Sequence, residues 1–180
     1  MYRRVMMVGV LWFSMMLPVI GGLHTSHAQL PSWLEASPRL VGEARFRLLF
    51  FDIYHAALFA PDGLYDGSAP YALRLSYMRD VSSQTIVDTS LDEMRRQGSG
   101  NESKLAEWAD WMGHHFPDMQ NGDEAMIVAL TNGGMALYHN QVKLGQTDDP
   151  AFTDAFFAIW LSNNALKPDL SSQLRGLEKD

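Results

Sequence analysis

Three side chains able to hold or pass a proton stand within four positions in the run FFDIYHAALFAP, Phe50 to Pro61: Asp52, Tyr54 and His55. The apolar residues around them read as a buried strand. On a regular strand alternate residues share a face, so Asp52, Tyr54 and Ala56 are expected together, with Phe51, Ile53, His55 and Ala57 opposite. His55 then points away from the other two, and the trio is not a ready-made proton relay. A second group lies in EWADWMGHHFPD, where Glu107, Asp110 and His114 fall at i, i+3 and i+7 of a helix. Two carboxylates and an imidazole on one face suggest a metal site. The spacing is not His-Glu-x-x-His, however, and the same residues make the ordinary wet face of an amphipathic helix. No metal is read from them.

Nucleophilic hydrolysis finds little support, because the chain has no Cys and no G-x-S-x-G elbow. QGSGNES lacks the P-loop lysine and the Rossmann glycine spacing, so no nucleotide or other cofactor is implied. The arginines offer more. Arg39, Arg45, Arg47, Arg74 and Arg79 lie in or beside the expected N-terminal strands. Solvent-facing positions are the ordinary fate of each, yet a guanidinium turned inward among Phe, Tyr and Leu would bind a carboxylate or enolate strongly.

The elements that must position these groups follow from pattern. Leu40 to Ala60 is rich in Phe, Leu, Val, Ile and Tyr and fits one long bent strand or two in succession. PDGLYDGSAP is a loop. YALRLSYMR alternates, with Tyr71, Leu73, Leu75 and Tyr77 on one face. Ser82 or Ser83 caps a helix running towards Gln97, and a second begins near Asn101 or Ser103 and stops at Pro117. EAMIVALTNGGMALYHNQVKLG reads as one hairpin about an Asn-Gly-Gly turn. Asp149-Pro150 opens a further helix, and Pro168 the last. Strands, helices, a hairpin and helices again describe an α+β domain, an antiparallel sheet with helices on one face.

The first 28 residues read differently. Arg3 and Arg4 precede the apolar VMMVGVLWFSMMLPVIGGL, and Ser26 and Ala28 suit cleavage after Ala28. This signal peptide directs the protein to the periplasm or the medium, with no stable membrane insertion once it is removed. Residues 29–39 form a lead-in, 40–177 a single domain and 178–180 a tail. Without the peptide's two arginines, 12 basic residues face 21 acidic ones, a net charge of −9. That balance disfavours nucleic acid or an anionic membrane as the main partner.

VGEARFRLLFFDIYHAALFAP, YALRLSYMRDVS, NGDEAMIVAL and FFAIWLSNNALKPDLSSQLRGL together resemble the bacterial exported branch of the chalcone isomerase-like proteins, over about Leu40 to Leu177. The resemblance implies an open-faced β-sandwich: a large antiparallel sheet, a helical layer on one face, and a ligand cleft between them. In that family true isomerases close a flavanone ring, and non-catalytic relatives bind fatty acids. In both, an early arginine meets the ligand's oxygen anion with help from hydroxyl side chains. The arginine falls at or next to Arg39, and a threonine position on or near Asp52, where a carboxylate would repel an anion. The place of the catalytic tyrosine reads MRDVSSQ, with Val81 or Ser82 there and Tyr77 nearby in sequence. The expectation is a non-catalytic protein binding a small apolar or lipid-like carboxylate, with Arg39, Asp52, Tyr54 and Tyr77 as candidate ligand residues. Its alternatives are an intramolecular lyase or isomerase with an arginine electrophile, and an interaction module whose cleft is filled by its own side chains.

Overall fold

The computed structural model describes residues 30–177, so the expected signal peptide and the tail lie outside the described residues. Six strands form one antiparallel sheet in simple chain order: β1 (Arg39–Leu48), β2 (Phe51–Ala60), β3 (Tyr71–Tyr77), β4 (Glu124–Ala129), β5 (Met135–His139) and β6 (Val142–Thr147). Each strand pairs with its sequence neighbour, so every pairing is as local as the intervening loop or helices allow. Between β3 and β4 run α2 (Ser83–Arg96) and α3 (Glu102–His115), and after β6 come α4 (Pro150–Leu161) and α5 (Pro168–Leu174).

The helix starts follow their caps. Ser82 accepts from the Thr85 amide, Asn101 from Lys104, and Asp149 from Ala151 and Phe152, with Pro150 in the first turn. Each side chain satisfies a backbone donor that the helix itself leaves without a partner. These four helices bury Ile86, Met94, Leu105, Trp108, Met112, Phe152, Phe156, Trp160 and Leu174 against the sheet residues Ala56, Leu58, Tyr71, Leu73, Leu75, Tyr77, Ile127 and Leu137. Glu93, 7 % exposed, ties this layer together. Its carboxylate accepts from Arg96, Gln97 and the Leu166 amide, linking α2 to the α4–α5 connection. Burial pushes its pKa up, but those hydrogen bonds more than reverse the effect and hold it below the ordinary value.

Of the two readings for Leu40 to Ala60, two strands in succession is the one found, joined in a tight hairpin by only Leu49 and Phe50. Two features depart from the sequence reading. The expected 124–145 hairpin is a three-stranded meander, because Asn140 and Gln141 both take positive φ (47° and 71°) and turn the chain again. A two-residue hairpin turn normally places Gly second, and Gln141 hides the signal. The lead-in also contains a short helix, α1 (Ser32–Ala36), on the face away from the other helices. There Leu34 joins Ala57, Phe59, Ala72, Met126, Val128, Ala136 and Tyr138 in a second, smaller apolar cluster. At the edge strand, Gly42 is required by contact: a Cβ there would lie 2.0 Å from the Gln173 carbonyl oxygen, so only glycine lets α5 close on β1.

Candidate functional site

Tyr54 reaches the helix-facing side of β2 and meets an aromatic group built from three elements. Its ring stacks on Phe46 of β1 at 4.9 Å with 10° between planes. Tyr77 stands directly opposite on β3, its ring centroid 5.7 Å away. From α4, the Trp160 indole Nε1 donates to the Tyr54 hydroxyl at 2.9 Å. Trp160 is itself set by Phe156, one helical turn earlier, at 5.3 Å.

Burial raises the pKa of both phenols above the usual tyrosine range. At Tyr54 the Trp160 hydrogen bond works against this and the neighbouring Tyr77 slightly adds to it; at Tyr77 burial is the only cause. Both are therefore neutral O–H groups at physiological pH. A neutral phenol is a poor proton acceptor and a good donor to a carboxylate. Because the Tyr54 oxygen already accepts from Trp160, its own proton is the part left to offer.

Asp52 does not share this face, a correction to the expected alternation. The β1–β2 register pairs Phe46 with Tyr54 but Arg47 with Asp52, so Ile53 is an extra residue on β2 and the strand bulges there. A bulge reverses the facing of every residue beyond it. Asp52 lands on the open face beside His55, accepting from Arg45 at 3.1 Å and from Arg47 at 2.5 Å. The Arg47 hydrogen bond, with smaller help from Arg45, holds its pKa below the ordinary carboxylate value despite some desolvation. His55 Nε2 lies 3.5 Å from Glu43, which extends the strip of polar side chains along the hairpin.

Arg39 opens β1 opposite Ala60, at the far end of the hairpin from Phe46 and Tyr54. Seven residues of strand span roughly 23 Å, so Arg39 and the aromatic group are not brought together. Arg74 lies on the open face, with its guanidinium 4.9 Å over the Phe59 ring and Nε 3.7 Å from Glu124. That Nε is buried without a hydrogen-bond partner among the described residues. Arg79 lies 4.1 Å over Phe51 near the hairpin turn. Of the four expected ligand residues, then, the fold joins Tyr54 and Tyr77 and sets Arg39 and Asp52 elsewhere. Trp160 was missed as a site residue, although it sits in the quoted FFAIWLS. A tryptophan on an apolar helix reads as core, and only the fold reveals its N–H partner.

Elsewhere on the helix layer, Glu107 pairs with Lys104 at 2.7 Å and His114 Nδ1 lies 2.7 Å from the Asp110 carbonyl oxygen. No three His, Asp or Glu side chains converge on a metal position among the described residues. Two open clefts mark the surface of this layer. One of about 350 Å³ is lined by Lys104, Trp108 and Asp154. The other, of about 340 Å³, lies between Tyr65, Ser162 and Arg175.

A six-stranded antiparallel sheet with a helical layer on one face, and an aromatic group with hydroxyls between them, defines an open-faced α+β sandwich. Residues 39–176 match the chalcone isomerase-like family model, and the chain belongs to that family. An uncharacterised protein of Haemophilus influenzae is 27 % identical over 140 residues, covering 77 % of this chain and 68 % of that one. The crystal structure of an Arabidopsis thaliana fatty-acid binding protein shares the fold with a TM-score of 0.59 at 10 % identity, covering 78 % of this chain and 87 % of that one.

Proposed function

We propose that this protein is an exported, non-catalytic carrier of a small lipid-like carboxylate, held between the sheet and α4. The observation that carries the reading is the Tyr54–Trp160 pair. The indole fixes the phenol's orientation and occupies its oxygen, leaving an O–H donor for a carboxylate head. Phe46, Tyr77 and Phe156 pack around the pair as aromatic core, so an acyl chain binding here would have to part these rings. The fold shared with a fatty-acid binding protein supports the same ligand class.

A catalytic reading is weaker. Both tyrosines are neutral at physiological pH. Arg39 opens the far end of β1, Arg45, Arg47 and Arg74 lie on the open face, and the Arg79 guanidinium lies over Phe51. An enone-closing site would need an electrophile there to meet developing negative charge.

Export is tested by fractionating cells and sequencing the mature N-terminus, which should begin at Gln29. Ligand binding is tested by native mass spectrometry of the purified protein and by thermal shift across a fatty-acid series. Bound acyl chains are expected, and Tyr54→Phe should weaken affinity about tenfold, the worth of roughly one charge-assisted hydrogen bond. A protein that carries no ligand and shows no shift with any chain length would leave the self-filled interaction module standing.

A further inference from the structure

The β1–β2 turn carries four consecutive large apolar residues in water. Leu48, Leu49, Phe50 and Phe51 are 58, 83, 95 and 50 % exposed, and Phe50 is the most exposed large apolar residue among those described. The placement is unfavourable to the hairpin itself. Leu49 holds φ at 55°, a conformation that suits Gly, Asn or Asp and strains a leucine. A two-residue hairpin made for its own stability would place such residues at the tip. Neither the backbone nor the core gains from Leu49-Phe50, so the apolar tip points to something outside the molecule.

The surroundings indicate what that is. Arg45 and Arg47, with side chains 49 and 64 % exposed, flank the tip on β1. Arg79 lies over the Phe51 ring from the end of β3. Against these three stands Asp52, which bonds Arg45 and Arg47 but leaves each guanidinium further N–H donors. The nearby Asp80 carboxylate turns aside to accept from the Asn121 amide. A cationic collar thus rings an apolar finger on a chain whose net charge is −7. The four side chains offer on the order of 500 Å², below the roughly 800 Å² per partner of a stable protein interface. A second copy of the chain is therefore a poor occupant.

We propose that the β1–β2 tip docks on an anionic phospholipid bilayer, with Leu48–Phe51 in the interfacial region and Arg45, Arg47 and Arg79 at the phosphates. Apolar burial and guanidinium–phosphate pairing each act within the depth a hairpin tip reaches. This surface stands apart from the ligand reading and needs no bound acid. It refines the inference drawn from net charge, because the collar is local and the acidic remainder can face away from the bilayer.

The chain has no cysteine, so Phe50→Cys in the full-length protein takes a single solvatochromic label. Leu64→Cys, 71 % exposed in the loop at the other end of the hairpin, is the control. With phosphatidylglycerol vesicles the Phe50→Cys label should shift to the blue and be quenched by a lipid-borne quencher, while the Leu64→Cys label should not respond. Arg47→Gln or Arg79→Gln, in the labelled background, should each weaken the response about fivefold, and raised salt should weaken it further. Three results would overturn the proposal: no response at Phe50→Cys, an equal response to phosphatidylcholine vesicles, or a blue shift that follows protein concentration without vesicles. The last would make the occupant a second copy. Tethering of the chain to vesicles by any other segment would leave the tip label in water and count as no response.

Discussion

Along β2, Tyr54, Ala56 and Leu58 face the helices, whereas Asp52, His55, Ala57 and Phe59 face the other side. On the first side phenols and an indole are enclosed and joined by one hydrogen bond. On the second, near the turn, Glu43, Arg45, Arg47, Asp52 and His55 form a charge strip open to water. One strand thus contributes Tyr54 to an enclosed aromatic group and Asp52 and His55 to a solvent-facing polar strip shared with β1. Polar residues fall on both faces of this strand. A hydrogen bond in a water-poor place is worth more than an ion pair that solvent screens, so the single bond on the enclosed side weighs more in the fold than the ion pairs opposite.

The sharpest way to break this contrast is to remove bulk from the enclosed side. Trp160→Ala leaves a cavity beneath the sheet and frees Tyr54; urea unfolding should show a loss of about 3–5 kcal/mol. Tyr54→Phe deletes only the hydroxyl and leaves the indole N–H without its acceptor. Denaturant midpoints should fall by the equivalent of about 1–2 kcal/mol. A double-mutant cycle of Tyr54→Phe with Trp160→Phe should show coupling, because the two changes remove one bond. On the open face, Arg74→Met removes the guanidinium nitrogen that lacks a partner while keeping the stem over Phe59. Stability should change by no more than about 0.5 kcal/mol, and acyl-chain affinity should stay the same. Asp52→Asn should have the smallest effect on unfolding at neutral pH and none on ligand affinity. A loss of binding in Asp52→Asn would show that the open face, not the enclosed one, holds the ligand.

Acid sensitivity separates the two sides less and the scaffold more. Glu93 and Asp123 both have pKa values below their ordinary ones. For Asp123, hydrogen bonds from Asn140, the Gln120 amide and His139 lower it from 3.8 to about 2. A carboxylate with a depressed folded pKa stabilises fully above its unfolded value, and that contribution is lost as pH falls through the folded one. Thermal midpoints should therefore hold down to about pH 4.5 and decline below it, with the Asp123 share lost between about pH 4 and pH 2. Asp123→Asn should flatten the lowest part of that decline.

Much of this architecture was legible in the residues. The alternation of β3 placed Tyr71, Leu73, Leu75 and Tyr77 together, and all four lie in the main core. The helix starts were legible to within one or two residues, at Ser82 or Ser83, at Asn101 or Ser103 and at Asp149-Pro150, because short polar side chains before apolar runs serve as caps. The candidate site was legible only in part. Tyr54 and Tyr77 were expected to serve a ligand, but the facing of Asp52 depended on a bulge at Ile53. Nothing in Phe-Asp-Ile-Tyr announces a bulge, since pairing with β1 creates it. Gln141 in a turn normally served by glycine concealed β6. The five-residue α1 was too short for any periodicity to show.

That small helix also bears on how the chain reaches its native state. Leu34 packs with residues from β2 to β5, and its most distant partner, Tyr138, lies more than a hundred positions along the chain. The surface α1 covers exists only once those strands have paired. Loop-closure entropy therefore makes α1 the last element able to dock and the first able to leave. Until it docks, the apolar cluster of Ala57, Val128 and Ala136 lacks the cover of Leu34 on its side of the sheet, and the half-folded chain is most prone to associate in that interval. Amide exchange should show α1 opening well before the sheet, with a free energy below that of global unfolding.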